Sequence, residues 1–328
     1  MKTALTGIKP SGVPHLGNYL GMIRPALALT ASYQCLYFIA DYHALTTLHD
    51  GAALRANTAA LAATWLALGL DVNAPEGALL YRQSDVPEVM ELAWILSCFT
   101  SKGLLDRAHA YKDALAQNRD ITAAVYTYPV LMAADILAFG ADVVPVGRDQ
   151  KQHLEMCRDI AVRFNHVYRD LGDLLVVPEP LIREDVETIP GLDGRKMSKS
   201  YGNTIPMFLP AAQLRKLVMR IQTDSTPVAE PKDPDAAAVF QLYRQVVGRE
   251  QAAPLAERLR AGGTGWAAAK EALAEALEAA WAEPRARYEA WRQDAAGLEA
   301  VLRRGGERAR ALAAPRLRAI RRAVGTGV

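Results

Sequence analysis

The chain has 328 residues, 51% of them hydrophobic, a formal net charge of +2 and three cysteines. At roughly 150 residues per domain this predicts about two domains with a real core. Residues 1–6 are too short for an export signal, and the alanine-rich run 52–70 is interrupted by Arg55, Asn57 and Thr64, so no membrane or secreted class fits and a cytoplasmic globular protein is expected.

In chain order, short β-type runs at residues 3–6, 35–40, 78–81, 143–146 and 174–177 alternate with helical stretches at 18–29, 52–70, 86–99, 129–139 and 150–164. This alternation predicts an α/β fold, a Rossmann-like doubly wound parallel sheet. Ligands gather beyond the carboxyl ends of the strands of such sheets, so the loop after the first strand and the loop after Val146 should face one crevice.

A stretch rich in Pro, Asp, Ser and Thr follows at 223–235, and from Val239 the pattern is almost wholly helical. Leu273, Leu277 and Trp281 form an i, i+4, i+8 stripe, Tyr288 and Trp291 lie three apart, and Leu317, Ile320 and Val324 continue an apolar face, all expected to pack in a core. The domain expectation is a catalytic unit over 1–205, an appended helical unit over 206–305 and a C-terminal helix over 306–328 returning to the first. Cys35, Cys98 and Cys157 form no C-x-x-C pair, which leaves them as buried small hydrophobes without a disulfide framework or a four-ligand zinc site. Residues 301–328 carry eight arginines against one glutamate, +7, leaving −5 for the rest. Two readings stay open for this basic face: arginines that favour helix ends, or phosphate contacts, which bear on nucleic-acid affinity without setting sequence preference.

Two loops carry the chemistry. Thr6-Gly7-Ile8-Lys9-Pro10-Ser11-Gly12-Val13-Pro14-His15-Leu16-Gly17-Asn18 sets a glycine-bearing turn between an apolar run and a helix-like one, and Gly194-Arg195-Lys196-Met197-Ser198-Lys199-Ser200 places two lysines three apart in a small-residue loop. Activation of a carboxylate by ATP needs the acid held in line with the α-phosphorus while charge is stabilised on the departing pyrophosphate, and it needs no enzyme nucleophile. Gly12 and Gly17 allow close backbone approach, Ser11, His15 and Asn18 can donate to phosphate oxygens, and Lys196 and Lys199 supply mobile charge. In this order and context the two loops resemble the paired ATP-binding motifs of class I aminoacyl-tRNA synthetases.

Between them, Tyr126-Thr127-Tyr128-Pro129-Val130-Leu131-Met132-Ala133-Ala134-Asp135-Ile136-Leu137 puts Asp135 in an apolar helix on roughly the face of Met132 and Tyr128. A carboxylate there is costly unless paired. An indole N–H would answer it, with Met132, Val144 and Val146 packing the ring. The alternative for Asp135 is a solvated helix-surface aspartate. The run from Thr127 to Leu137, followed by Val143-Val144-Pro145-Val146-Gly147-Arg148-Asp149-Gln150-Lys151-Gln152-His153, resembles bacterial tryptophanyl-tRNA synthetases, a class I aminoacyl-tRNA synthetase family, and the similarity runs the whole chain.

The resemblance implies a ligase that joins tryptophan and ATP into tryptophanyl-adenylate plus pyrophosphate and transfers the aminoacyl group to tRNA(Trp), assisted by Mg²⁺, as a homodimer whose helical domain reads the anticodon. It implies catalytic roles for His15, Asn18, Lys196 and Lys199. It implies an ATP site drawing on Lys9, Pro10, Ser11, Gly17, Asn18, Gly147, Arg148, Asp149, Ile189, Lys196, Met197, Ser198, Lys199 and Ser200. Asp135 would read the indole nitrogen, Tyr128 and Gln150 would hold the ammonium, and Leu5, His43, Met132, Val144 and Val146 would line the pocket. No iron-sulfur cluster or zinc is expected, because no cysteine follows Cys157, and no resident protein metal is expected. A tyrosine-specific relative and a non-aminoacylating tRNA- or protein-binding paralogue are the competing readings.

Two departures stand out. Tyr111-Lys112-Asp113-Ala114 aligns with a stretch where the family often carries two lysines, so one pyrophosphate contact is lost or is supplied by Lys112 or Arg119, for both of which solvation on a helix surface is the competing and favoured reading. Lys9 stands where many members have glutamine, beside the substrate's carboxylate end. Replacing Lys9→Gln should therefore change the Michaelis constant for tryptophan, or sensitivity to carboxylate-mimicking inhibitors, in steady-state assays; unchanged values would dismiss a role for the substitution.

Overall fold

The computed structural model describes the chain except residues 75–76, 119, 148–149, 183–187 and 328. Strands β1 (Thr3–Ile8), β2 (Gln34–Ile39), β3 (Leu79–Arg82), β4 (Val143–Val146) and β5 (Glu179–Ile182) form one parallel sheet in the order β3-β2-β1-β4-β5. The chain winds outward from central β1 to β2 and β3, then crosses to β4 and β5, so the switch point lies between β1 and β4. Strand β2, covered on both faces, is apolar from Cys35 to Ile39, as a buried parallel strand must be.

Helices α1 (Leu16–Asn18), α2 (Arg24–Leu29), α3 (Asp41–Ala44) and α4 (Gly51–Ala67) accompany the first half-sheet, with a π turn, Tyr19–Ile23, between the first two. Helix α4 begins at Asp50, whose carboxylate accepts from the amides of Ala52 and Ala53 at 2.8 and 3.1 Å. Then come α5 (Pro87–Ser97), α6 (Lys102–Leu105), α7 (His109–Ala116), α8 (Ala123–Leu137) and α9 (Lys151–Val167), and beyond β5 the helices α10 (Ala211–Val218), α11 (Ala238–Val247), α12 (Arg249–Ala261), α13 (Trp266–Gln293) and α14 (Ala295–Val324). Among the described residues no helix is long and apolar enough to cross a membrane.

The α/β expectation holds, with three local corrections. Residues 174–177 are not a strand: both backbone groups of Leu175 are taken by the buried Asn165 side chain of α9, at 2.8 and 3.0 Å. The fifth strand is Glu179–Ile182, an edge position that tolerates Pro180. Helix α8 starts six residues before Pro129, at the Thr122 cap, because an internal proline removes one backbone bond without ending a well-packed helix. Cys98 is exposed at the end of α5, whereas Cys35 and Cys157 are buried.

One core lies between the sheet and α5, α8 and α9, including Leu317 and Ile320 of α14, and a second lies on the opposite face under α4. A third is the helical layer, where Leu273, Leu277 and Trp281 are fully buried together with Leu16 and Leu20. The α13 stripe thus packs onto the segment that follows the first loop.

Helix α14 seals the β3 edge. A Cβ on Gly305 would sit 1.9 Å from the Leu80 carbonyl oxygen, and one on Gly306 2.6 Å from Asp85 Cβ, so only glycine admits this approach. Part of the basic run of α14 is engaged with the sheet domain: Arg310 pairs with Glu88 at 3.1 Å, Arg321 with Glu91 at 2.7 Å, and Arg316 donates to the Leu174 carbonyl at 3.2 Å. Such partly solvated pairs orient the helix more than they stabilise it. Gly305→Ala should cost on the order of 1–3 kcal/mol in urea unfolding, while Gly21→Ala, where nothing lies within 4 Å, should be nearly neutral. Equal effects at the two positions would refute the close-packing account.

Candidate active site

The two motif loops meet. Gly12 adopts φ +113°, and a Cβ there would lie 3.2 Å from Lys199 Nζ, which donates to the Ser11 carbonyl at 3.1 Å. The amide of Gly17 donates to Met197 Sδ at 3.2 Å, and backbone bonds from Leu16 to Ile205 and from Met207 to Pro14, at 2.8 and 3.0 Å, stitch the first loop to the segment after the lysines. His15 and Asn18 form a reciprocal cap: the Asn18 amide donates to His15 Nδ1 at 3.3 Å, and the His15 amide donates to Asn18 Oδ1 at 3.1 Å. Burial, helped by the Lys199 charge, lowers the His15 pKa to about 4, so at neutral pH the ring is uncharged and its Nδ1 is fixed as an acceptor.

The lysine loop is a hairpin end braced by a residue that the sequence reading passed over. Asn203 is buried; its side chain accepts from the Ser198 amide at 2.8 Å and donates to Asp193 at 2.7 Å and to the Lys196 carbonyl at 3.1 Å. Met197 and Ile189 turn into the helical-layer core and share a backbone bond of 2.8 Å, while Lys196, Lys199 and Ser200 stay exposed. Burial of Met197 between two exposed lysines gives the loop a fixed root.

Beyond the switch point lies a cavity of about 320 Å³. Leu5, Thr6, Gly7 and Lys9 line it from β1 and its loop, His43 from α3, Tyr128, Met132 and Asp135 from α8, and Val144, Val146, Gly147 and Gln150 from β4 and beyond. Gly7 is required by contact, since a Cβ would lie 2.3 Å from the Phe38 ring. All eight residues expected to bind the amino acid therefore line this cavity. Arg148 and Asp149 lie outside the described residues, as does Arg119. Lys9 connects cavity and loops: its Nζ donates to Thr46 Oγ1 at 3.1 Å, and its carbonyl accepts from the Ser11 amide at 2.9 Å. Ala114 is buried and Lys112 exposed on α7.

Asp135 is 2% exposed, which removes the surface-aspartate alternative. Both its oxygens accept from Gln83 Nε2 at 2.9 Å. Burial pushes its pKa well up, a rise that the Gln83 bond opposes. His43 Nδ1 lies 3.6 Å from Asp135 but 2.9 Å from Gln83 Nε2, and burial lowers its pKa to about 4, so this contact is no ion pair at neutral pH. The Tyr128 ring meets the His43 and His153 rings edge-on, and its hydroxyl donates to Gln150 at 3.4 Å. Sequence reasoning missed Gln83 and Thr6. Thr6 carried only the alternation of β1 as a signal, and its buried hydroxyl finds no partner among the described residues.

A cavity at the switch point of a parallel sheet, with the two motif loops joined beside it, is the architecture of a Rossmann-like domain. Residues 1–282 match the family profile of class I tRNA synthetases (W and Y). The tryptophan–tRNA ligase of Xanthomonas campestris pv. campestris is 52% identical over 98% of this chain and 76% of its own length, and that of Pseudomonas aeruginosa is 49% identical over 98% and 73%. The crystal structure of tryptophanyl-tRNA synthetase from Campylobacter jejuni with ADP and tryptophan superposes with a TM-score of 0.90 at 40% identity, covering 98% of this chain and 99% of that one. The chain belongs to the class I tRNA synthetases of the tryptophan and tyrosine family, and is an aminoacyl-tRNA ligase.

The two depressed imidazoles set a pH dependence. Each lies below its ordinary value of 6.5, at about 4, so the unfolded chain binds more protons in that interval and stability falls as pH drops from about 6.5 to about 4. A His15→Asn/His43→Asn double variant should lose less stability across that window in urea titrations. Equal losses would show that neither ring is held neutral by the fold.

Proposed function

We propose that the chain is a tryptophan–tRNA ligase in its substrate choice as well as its family. The observation that carries this reading is a buried carboxylate, Asp135, lining a largely apolar cavity that Lys9 of the first loop also lines, while Lys199 rests on the Ser11 carbonyl of that loop. Tryptophan would enter with its indole N–H toward Asp135, its ring between Met132, Val144 and Val146, and its ammonium at Tyr128 and Gln150. Phenylalanine would leave the carboxylate unanswered, and a site built round such a hydrogen bond rejects the analogue lacking it by about 10⁴-fold or more.

With the ammonium held, the α-carboxylate would lie near Lys9, facing the first loop. ATP would lay its phosphates along Ser11, Gly17 and the His15–Asn18 cap, with Gly147 near the nucleotide. As the carboxylate oxygen attacks the α-phosphorus, charge develops on the departing pyrophosphate, where Lys196 and Lys199 would meet it. Neutral His15 accepts a backbone proton at Nδ1, leaving Nε2–H as a phosphate donor. Mg²⁺ would arrive on the triphosphate, since no group of three His, Cys, Asp or Glu among the described residues could hold it alone; bound there, it would neutralise phosphate charge. Transfer to the terminal ribose of tRNA(Trp) would follow. The unit 1–205 would carry catalysis, 206–305 the anticodon contacts and 306–328 the return, the last two sharing the unbroken α14. In a homodimer a second copy would cover the groove beside Trp94, which is 74% exposed.

Amino-acid-dependent pyrophosphate exchange with tryptophan, tyrosine and phenylalanine, with and without tRNA, tests the reading. Exchange should depend on tryptophan alone; tyrosine-dependent exchange would reassign the substrate, and tRNA binding without any exchange would point to a non-aminoacylating paralogue. Lys199→Ala should lower the rate of adenylate formation by orders of magnitude with little loss of tryptophan affinity, whereas equal losses would make Lys199 a binding group only.

A further inference from the structure

Gln83 follows β3 at the start of a 3-10 turn, Gln83–Asp85, and is 1% exposed, yet the reaction outlined above gives it no task. Its amide joins three elements. Nε2 donates to both oxygens of Asp135 on α8 and lies 2.9 Å from His43 Nδ1 on α3, and Oε1 accepts from the His43 backbone amide at 3.3 Å. The flipped amide would set its oxygen against two carboxylate oxygens, so chemistry fixes its orientation. Its two N–H bonds are then spent, one on the carboxylate and one on His43, whose Nδ1 must be the accepting nitrogen and whose ring proton must sit on Nε2.

The turn carrying Gln83 is pinned from outside. The Ser84 amide donates to Asp41 Oδ1 at 3.0 Å and its hydroxyl to Asp41 Oδ2, which ties the turn to the start of α3. Arg82 donates to Asp85 at 2.8 Å and reaches Glu299 of α14 at 2.7 Å. An amide is a suitable partner for a carboxylate that must still accept from a substrate. It donates without net charge and uses one acceptor position on each oxygen, leaving the remaining lone pairs open. A lysine or arginine there would turn the carboxylate into half of an internal ion pair.

We propose that Gln83 is a positioning residue for amino-acid selection: it locks the Asp135 carboxylate with a lone pair toward the cavity and keeps it a strong acceptor, and it sets the His43 tautomer beside it. This rests on tryptophan being the substrate. The preference of the ligase for an indole N–H over an isosteric ring without one is therefore distributed over Asp135 and Gln83 together.

The test compares Gln83→Met, of similar volume and without a donor, with wild type in pyrophosphate exchange, using tryptophan and 3-benzothienylalanine, in which sulfur replaces the ring N–H. The Michaelis constant for tryptophan should rise by about 10- to 100-fold, as expected for loss of a buried bond to a charged group. The maximal rate should stay within a few-fold, and the constant for the sulfur analogue should hardly move, so the preference between the two substrates collapses. Equal losses on both substrates, or a loss confined to the maximal rate, would overturn the inference. A wild type without tryptophan-dependent exchange would instead overturn the functional reading beneath it. Should Gln83→Met fail to fold, ¹⁵N-histidine spectra of the wild-type chain at pH 7, with His43 assigned through His43→Asn, decide the matter: a neutral ring protonated on Nε2 supports the proposal, and protonation on Nδ1 sinks it.

Discussion

A carboxylate buried without a counter-cation among the described residues is the constraint around which the cavity is organised. Taking an ion out of water costs several kcal/mol even after relaxation, and the fold meets that cost at Asp135 with a neutral amide. A full ion pair would have been the more direct solution, but it would have consumed the acceptor. The apolar surroundings that make Asp135 expensive to keep ionised also make an N–H donor inside the cavity worth more than it would be in water.

This arrangement draws on distant parts of the chain. Helix α8 brings Asp135, the turn after β3 brings Gln83 and α3 brings His43, and β3 is itself covered by α14 at the seam between Leu80 and Gly305. Likewise the first loop is shaped less by its own residues than by the strand-like pairing of His15 with Pro206 and the sulfur of Met197 beneath Gly17. The two loops form one surface because they share a core with the helical layer, where Leu16 and Leu20 lie with Leu273, Leu277 and Trp281.

Much of this was readable in the sequence wherever a local pattern had one physical meaning. Alternating short apolar runs and helical stretches gave the parallel sheet, and the α13 stripe gave a core face. The glycine-bearing turn and the paired lysines stood out as motifs, and the structure brings them together; Asp135 stood out as an acid within an apolar helix. Partners set by long-range packing were opaque. Gln83 sits in a polar tetrapeptide that looks like any strand-to-helix loop, and Asn203 follows a glycine as many loop asparagines do. Residues 174–177 have the composition of a strand, yet their hydrogen bonds go to a side chain on α9. The arginine-rich end was ambiguous for the same reason, since its carboxylate partners Glu88 and Glu91 lie more than 200 residues earlier.

The contact between Lys199 and the Ser11 carbonyl has a consequence for the resting enzyme. An ammonium parked on a neutral backbone oxygen, at the spot where a polyanion would settle, works as a placeholder: the hinge-like arm is already at working height before any nucleotide arrives. On the proposed reading, a bound polyanion would exchange that weak neutral acceptor for a charged one at the same arm.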